Sequence, residues 1–154
     1  MFLGTYLVSV TSGKRVSIPL VFRSELDSNL ILAKWYENCL VLVGNKSWEA
    51  LLERITGGQR MVIKPIRASE QFIYTSAYKV DADDQGRIVL PDRLVLYAGL
   101  GEQVYFLGVG DRVEIWNKEV WDEKEKVIAG EAAGYIEELA KNDTTKHKLN
   151  ERKT

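Results

Sequence analysis

SGKRVSIP at residues 12–19 and DDQGRIVLP at residues 83–91 share one pattern, and this pattern decides the fold that the chain is expected to adopt. Each stretch has a glycine turn followed by an arginine, Arg15 or Arg87, and each ends in an apolar residue and a proline. The two arginines lie 72 positions apart. A pattern that recurs at such a distance indicates an internal repeat, in which one structural unit occurs twice in the chain.

The similarity extends well beyond the two arginines. Aligning them places Pro19 on Pro91, and a slip of one or two residues places Trp48 on Trp121. Each copy has an alternating segment, a glycine turn, a short β-rich segment, a short helical segment, two more strands and a final helix. Isolated hairpins are marginal in water, so the two copies, residues 1–76 and 77–154, are expected to pack about a pseudo-twofold axis as one compact unit.

The composition restricts the class of protein. The chain has 154 residues, of which 45% are hydrophobic, and it has no apolar run of the ~18 residues that a membrane-spanning helix needs. Its first ten residues have no basic lead that would indicate export. Cys39 is the only cysteine, lies in an apolar run and is predicted to be a small buried hydrophobe. These features predict a cytoplasmic protein that does not associate with membranes, with a disordered polar tail over residues 142–154.

Charge and motif content argue for binding rather than catalysis. The net charge is −1, but residues 1–67 contain nine Lys/Arg against five Asp/Glu, whereas residues 68–154 contain twelve against seventeen. The first half is therefore the better candidate for a surface that faces a polyanion. The only histidine, His147, lies in the polar tail, and there is no nucleophile elbow or phosphate-cradling glycine loop. We expect no enzyme activity, no cofactor and no metal.

At these residues the chain resembles the MraZ family, in the wider AbrB/MazE-like class. The resemblance covers nearly all of residues 1–141 and depends on MFLGTY at 1–6, the two arginine stretches, YAGL at 97–100 and VEIWNKEVW at 113–121. It implies an α+β, mainly β fold: a tandem pseudo-twofold duplication of an AbrB-like swapped-hairpin β unit, with short helices and a C-terminal helix.

The resemblance also implies a function. Members of the family are bacterial transcription regulators, cytoplasmic or nucleoid-associated, of the cell-division and cell-wall gene cluster, and they regulate their own promoter. They form rings that set several subunits against repeated DNA boxes. A repressor of this kind has double-stranded DNA and copies of itself as partners, and it needs no small-molecule substrate.

The family marks each arginine turn with Asp-x-x-x-Arg, and only the second copy keeps this motif. In the first copy Thr11 replaces the aspartate, and Gly13 and Lys14 are exchanged relative to the usual Lys-Gly order. A guanidinium at such a turn can pair with both guanine O6 and N7 or contact phosphates. The predicted DNA-binding residues are Lys14, Arg15, Gln85 and Arg87, and the predicted loop-organising residues are Thr11, Gly13, Asp83 and Gly86.

Three alternatives stay open at this point. The aspartate and the arginine can simply pair across an exposed turn, which is worth only about 0–1 kcal/mol. The chain can be an AbrB/MazE-like antitoxin or interaction module that covers a protein partner. It can also be a ring-forming assembly protein without DNA binding, and the loss of the first aspartate at Thr11 favours that idea.

Two local expectations concern the segments that flank the predicted site. The linker TGGQRMVIKPIRAS, residues 56–69, contains two glycines and a proline and is predicted to be a loop that carries Arg60, Lys64 and Arg67. Arg23 is expected to pair with Glu25 or Asp27 on a helix surface.

Overall fold

The computed structural model describes the backbone of residues 1–57 and 63–152 and the side chains of those residues up to 143. The chain divides into two compact units, Met1–Lys118 and Glu119–Thr154. The first unit contains the eight strands found in the described residues and both arginine turns. The second consists of helix up to Arg152.

Apart from the helix at Lys64–Tyr74, the elements follow one another in the order that the sequence pattern predicts. The strands are β1 (Phe2–Ser9), β2 (Arg15–Ser17), β3 (Asn29–Lys34), β4 (Leu40–Gly44), β5 (Tyr78–Asp81), β6 (Arg87–Val89), β7 (Gln103–Gly110) and β8 (Val113–Asn117). The helices are α1 (Leu20–Arg23), α2 (Trp48–Thr56), α3 (Lys64–Tyr74), α4 (Asp92–Ala98) and α5 (Lys118–Arg152).

The strands form a six-stranded sheet in the order β1-β7-β8-β4-β3-β5 and a separate two-stranded sheet of β2 and β6, and every pairing is antiparallel. Strand β1 pairs with β7, and its counterpart β5 pairs with β3. Exchanging each strand for its counterpart in the other half gives the same order read from the opposite edge of the sheet. The α+β class is therefore confirmed, and the strand order supports the duplication, which itself remains a prediction.

One hydrophobic core joins the two predicted copies. Both strands of the small sheet contribute to it through Val16 and Ile88, which are each 1% exposed. The first helix of each copy contributes one apolar side chain, Phe22 or Leu94. The large sheet supplies most of the remaining core, namely Leu30, Leu32, Leu40, Leu42, Val104, Phe106, Val113 and Ile115. Side chains from before and after residue 77 therefore share one core, and the division into two repeats stays a prediction.

The turn after each first strand does not continue into a local hairpin. In residues 1–17, which the structure describes in full, the pairing across the first turn is the single bridge Thr11↔Arg15. Strand β2 then pairs with β6 of the other half, with Val16 opposite Ile88. The strands therefore pair between the two halves and not within one local hairpin, and this pairing places both apolar side chains in one core.

Helix extends into two segments where the sequence predicts none. The predicted loop at 56–69 is wrong from Lys64 onward, because α3 begins there with Pro65 in its first turn, where a missing N–H costs nothing. Arg60 lies outside the described residues. The tail predicted to be disordered from residue 142 is helical to Arg152. No helix in the described ranges combines the length and apolar character that crossing a membrane requires.

Cys39 is a buried residue, as the sequence predicts. It is fully buried, and burial together with the neighbouring Glu114 carboxylate raises the pKa of its thiol far above the ordinary value. Glu114 is itself buried and accepts hydrogen bonds of 2.9 Å from Arg112 Nε and Trp116 Nε1. The thiol is therefore held in its neutral form beside a carboxylate that already has two donors.

The pairing of β1 with β7 gives a test of this topology. A Cβ on Gly108 would lie 2.3 Å from the backbone nitrogen of Leu3 and 2.5 Å from the carbonyl carbon of Phe2. Gly108→Ala should therefore force β1 away from β7 and lower the free energy of unfolding by about 1–3 kcal/mol in urea titrations. Gly101→Ala is the control, because that glycine has no atom within 4 Å of such a Cβ. Equal losses for the two variants would contradict the pairing.

Candidate nucleic-acid interface

The two arginines of the repeated pattern lie on the same small β-ribbon. In the pairing of β2 with β6, Arg15 is opposite Val89 and Ser17 is opposite Arg87. Side chains alternate along a strand, and the central pair is buried in the core. The four flanking residues therefore share the outward face of the ribbon: Arg15, Ser17, Arg87 and Val89.

The two turns that precede these arginines have the same backbone hydrogen bonds. In the first turn, Thr11 N–H donates to Arg15 O at 2.8 Å and Lys14 N–H donates to Thr11 O at 3.1 Å. In the second, Asp83 N–H donates to Arg87 O and Gly86 N–H donates to Asp83 O, both at 2.9 Å.

Each turn is also bonded to the strand end of the other half. Leu90 N–H donates to Lys14 O at 2.8 Å, and Ile18 N–H donates to Gly86 O at 2.9 Å. Both turns and both strands therefore form one connected unit.

Asp83 braces the second turn with both of its carboxylate oxygens. Oδ1 accepts the backbone N–H groups of Gln85 at 3.0 Å and Arg87 at 2.9 Å, and Oδ2 accepts Arg87 Nε at 2.9 Å. The Arg87 side chain remains 38% exposed. Its guanidinium is therefore oriented from one edge, while its remaining N–H groups stay accessible. Gln85 lies at the exposed tip of this turn.

Thr11 leaves the first turn without an equivalent brace. Its hydroxyl donates to Arg15 O at 3.2 Å, and the exposed Arg15 guanidinium has no ion pair within the described part of the chain. Lys14 instead forms an ion pair with Asp92 at the start of α4. The first arginine is therefore less restrained than the second.

The exchange of glycine and lysine does not move the left-handed position of the first turn. Lys14 has a φ of 58°, and the matching Gly86 has a φ of 74°. Gly13 also has a positive φ, of 77°. A non-glycine residue in this conformation costs roughly 1–2 kcal/mol, so Lys14 holds the matching left-handed position under some strain. The two turns differ one residue earlier, because Gly13 has a positive φ and the matching Gln85 does not.

Two residues beside the turns were not among the predicted site residues. Arg23 does not form the expected pair with Glu25 or Asp27; its guanidinium lies over Gly86 and donates from Nη2 to Ile18 O at 3.2 Å. Asp92, the first residue of α4, pairs with Lys14. The repeat alignment contained a signal for Arg23. The matching position in the second copy is an apolar valine, so the arginine is specific to the first copy.

Asp83 offers a titration test of the brace. The hydrogen bond from the backbone N–H of Arg87 is the main cause that lowers the pKa of Asp83 below 3.8, and the Arg87 side chain and the Gln85 N–H lower it further. Because the pKa is depressed on folding, the brace is present at neutral pH and is lost as the pH falls through the lowered value.

Arg87→Ala removes the side-chain donor but keeps the backbone N–H. Carboxyl NMR titration should therefore show the pKa of Asp83 rising only part of the way to 3.8. Arg15→Ala, in the other turn, should leave that pKa unchanged. A full return to 3.8 in Arg87→Ala would mean that the backbone bond contributes nothing.

Comparison with known proteins gives the family directly. Residues 73–147 match the family model described as "MraZ protein, putative antitoxin-like". A transcriptional regulator MraZ from Acetivibrio thermocellus is 39% identical over 122 residues, which are 79% of this chain and 85% of the relative. The one from Syntrophomonas wolfei is 35% identical, and the match covers 92% of this chain and 96% of the relative. The one from Thermoanaerobacter pseudethanolicus is 36% identical, and the match covers 90% of this chain and 99% of the relative.

These relatives are named transcriptional regulators, in agreement with the expectation of no enzyme activity. The chain belongs to the MraZ family.

Proposed function

We propose that this chain is a transcription regulator that binds DNA in a sequence-specific manner through the ribbon of β2 and β6. The relatives named transcriptional regulators support the coarse function. The proposal of sequence-specific DNA binding depends on one observation: Arg15 and Arg87 share the outward face of two strands that are joined by reciprocal backbone hydrogen bonds. The targets would be repeated boxes in promoters of the cell-division and cell-wall cluster, including its own, reached in the cytoplasm or nucleoid.

The dimensions of the ribbon suit the major groove. That groove admits a two-stranded β-ribbon, and its base edges offer guanine O6 and N7 to a guanidinium. From the register, the Cα atoms of the two arginines lie roughly 8 Å apart, two residues along the strand and one strand across. This separation corresponds to two or three base-pair steps of about 3.4 Å.

The two turns are proposed to have different roles. Arg87, held by Asp83 before contact, loses less side-chain entropy on binding and suits base reading. Arg15 has no such brace and is adjacent to Lys14, so this pair suits phosphate contacts. Lys14 must first exchange Asp92 for a phosphate. Gln85, at the tip of the second turn, is proposed to contact DNA together with Arg87.

Binding data on two variants separate these roles. Arg87→Ala should weaken binding to cognate DNA by ~1–3 kcal/mol and relax the preference at one base position. Arg15→Ala should weaken binding to cognate and scrambled DNA alike and reduce the salt slope by about one unit. Salt titrations on both duplexes measure these effects. The roles are reversed if Arg15→Ala affects only cognate binding while Arg87→Ala affects both duplexes equally.

Thr11→Asp is the matching gain-of-brace variant. It restores the family aspartate to the first turn, so specificity should rise while scrambled binding stays constant or weakens slightly. If none of the three substitutions changes binding, the turns are structural and the DNA proposal fails.

Self-assembly is proposed from exposed apolar surface. Strand β1 is an edge of the large sheet, and its outward residues Leu3 and Leu7 are 63% and 48% exposed. Val109, opposite Leu3 on β7, is 38% exposed. Helix α5 also exposes apolar side chains, namely Val120, Val127, Ile128, Tyr135, Ile136 and Leu139. Surfaces of this kind mark protein interfaces, and we assign them to further copies of this chain in a ring.

Light scattering tests the assembly. At micromolar concentration the protein should be a homo-oligomer well above a dimer, and a monomer near 17.5 kDa would contradict this. The double substitution Leu3→Lys and Leu7→Lys should give smaller species, because it puts charge on the apolar edge. Leu96→Lys, on an exposed residue of α4, is the control and should not change the mass.

The whole proposal is tested by gel shift with the DNA upstream of the chain's own gene against a scrambled duplex. A single subunit neutralises few phosphates, so repeated boxes engaged by a ring should bind on the order of 10²–10⁴-fold more tightly than one box. Equal binding of upstream and scrambled DNA would refute sequence-specific regulation. The alternatives are then an antitoxin-like module, for which a bound protein partner is the evidence, and an assembly protein without DNA binding.

A further inference from the structure

Arg23 packs directly on the turn that precedes Arg87. A Cβ built on Gly86 would lie 2.1 Å from Arg23 Cζ and 2.2 Å from its Nε, so the guanidinium occupies the space that any other residue at position 86 would need. Arg23 Nη2 donates to Ile18 O at 3.2 Å. Its Nε is buried and has no hydrogen-bond partner among the described residues.

This contact spans a bond between the two halves. Ile18 N–H donates to Gly86 O at 2.9 Å, and Arg23 touches both residues of that bond. Gly86 immediately precedes Arg87 in the chain. Glycine is the least restricted residue in the backbone, so a side chain that packs on Gly86 limits the movement of the arginine that follows.

The equivalent contact in the first turn is built differently. The residue that matches Gly86 is Lys14, and the residue that matches Arg23 is Val95. There the basic side chain comes from the turn itself and pairs with Asp92 at its exposed end. In the second turn, which carries the braced arginine, a guanidinium from the other half lies directly over the backbone of Gly86.

We propose that Arg23 is a positioning residue for base reading by Arg87: it holds Gly86 against Ile18 and so fixes the direction in which Arg87 leaves the turn. This role rests on the proposed function. Arg23 is poorly placed to act as a phosphate contact, because its Nε is buried and its Nη2 already donates to a backbone oxygen. A planar guanidinium suits the role and an ammonium does not, because only the former can lie flat over a peptide group.

The test measures binding of Arg23→Lys and Arg23→Ala to the DNA upstream of the chain's own gene and to a scrambled duplex over a range of salt. Both variants should lower affinity for the upstream duplex about tenfold, the size of one lost base contact, and leave scrambled binding and the salt slope unchanged. Arg93→Lys is the control, because it makes the same chemical change at an exposed arginine of α4. It should leave the affinity for both duplexes unchanged.

Gly86→Ala provides an independent route, because its methyl group would displace the Arg23 guanidinium. Its effect on upstream binding should not add to that of Arg23→Ala, since both changes remove the same contact. Circular dichroism establishes that each variant is folded, and Arg23→Lys carries the test if Arg23→Ala is not.

Two results would overturn this role. One is unchanged preference in Arg23→Lys and Arg23→Ala. The other is that Arg23→Ala loses affinity equally for both duplexes and has a lower salt slope, while Arg23→Lys loses no affinity for either duplex. That result would make Arg23 a phosphate contact. Failure of the proposed function is distinguishable, because the unsubstituted protein would then already bind both duplexes equally.

Discussion

The pairing of β2 with β6 is the interaction on which the rest of the structure depends. Each strand has only three residues, and the two come from opposite halves of the chain. Their pairing buries Val16 and Ile88 and aligns Arg15 and Arg87 on one outward face. Short strands of this kind are stable only because both turns are bonded across the ribbon and because the apolar pair completes a core shared with the large sheet.

The two turns share their backbone hydrogen bonds and one left-handed position, and they differ in side-chain chemistry. The hydrogen bonds from Thr11 and Lys14 match those from Asp83 and Gly86, and the left-handed position is retained even where it holds a lysine. The ribbon therefore imposes its geometry on both turns, because each turn must accept an N–H from the opposite half. The side chains are free to diverge within that constraint: a carboxylate braces one arginine, and a hydroxyl that donates to a backbone oxygen leaves the other unbraced.

Charge and shape contribute to different parts of the proposed binding. A chain of net charge −1 gains little from long-range attraction to DNA, and Lys14 is partly neutralised by Asp92. Specificity in a single subunit would then come from two oriented guanidinium groups, and affinity from the number of subunits that engage repeated sites. A rigid ribbon would matter more under this proposal, because every copy would have to present the same geometry to its DNA box.

The sequence by itself determined the type and order of most elements, the burial of Cys39, and the two turns with their arginines. These are local properties, because alternation, glycine and proline act over a few residues. Local predictions failed at α3 and at the tail from residue 142, where helix forms in spite of weak sequence signals, and at Arg23, which pairs with neither Glu25 nor Asp27. Only the tertiary structure decided that β1 pairs with β7, that β2 pairs with β6, and that Arg23 lies over Gly86. Such contacts join residues 60 or more positions apart, and their free energy comes from burying apolar surface across both halves, which no local pattern encodes.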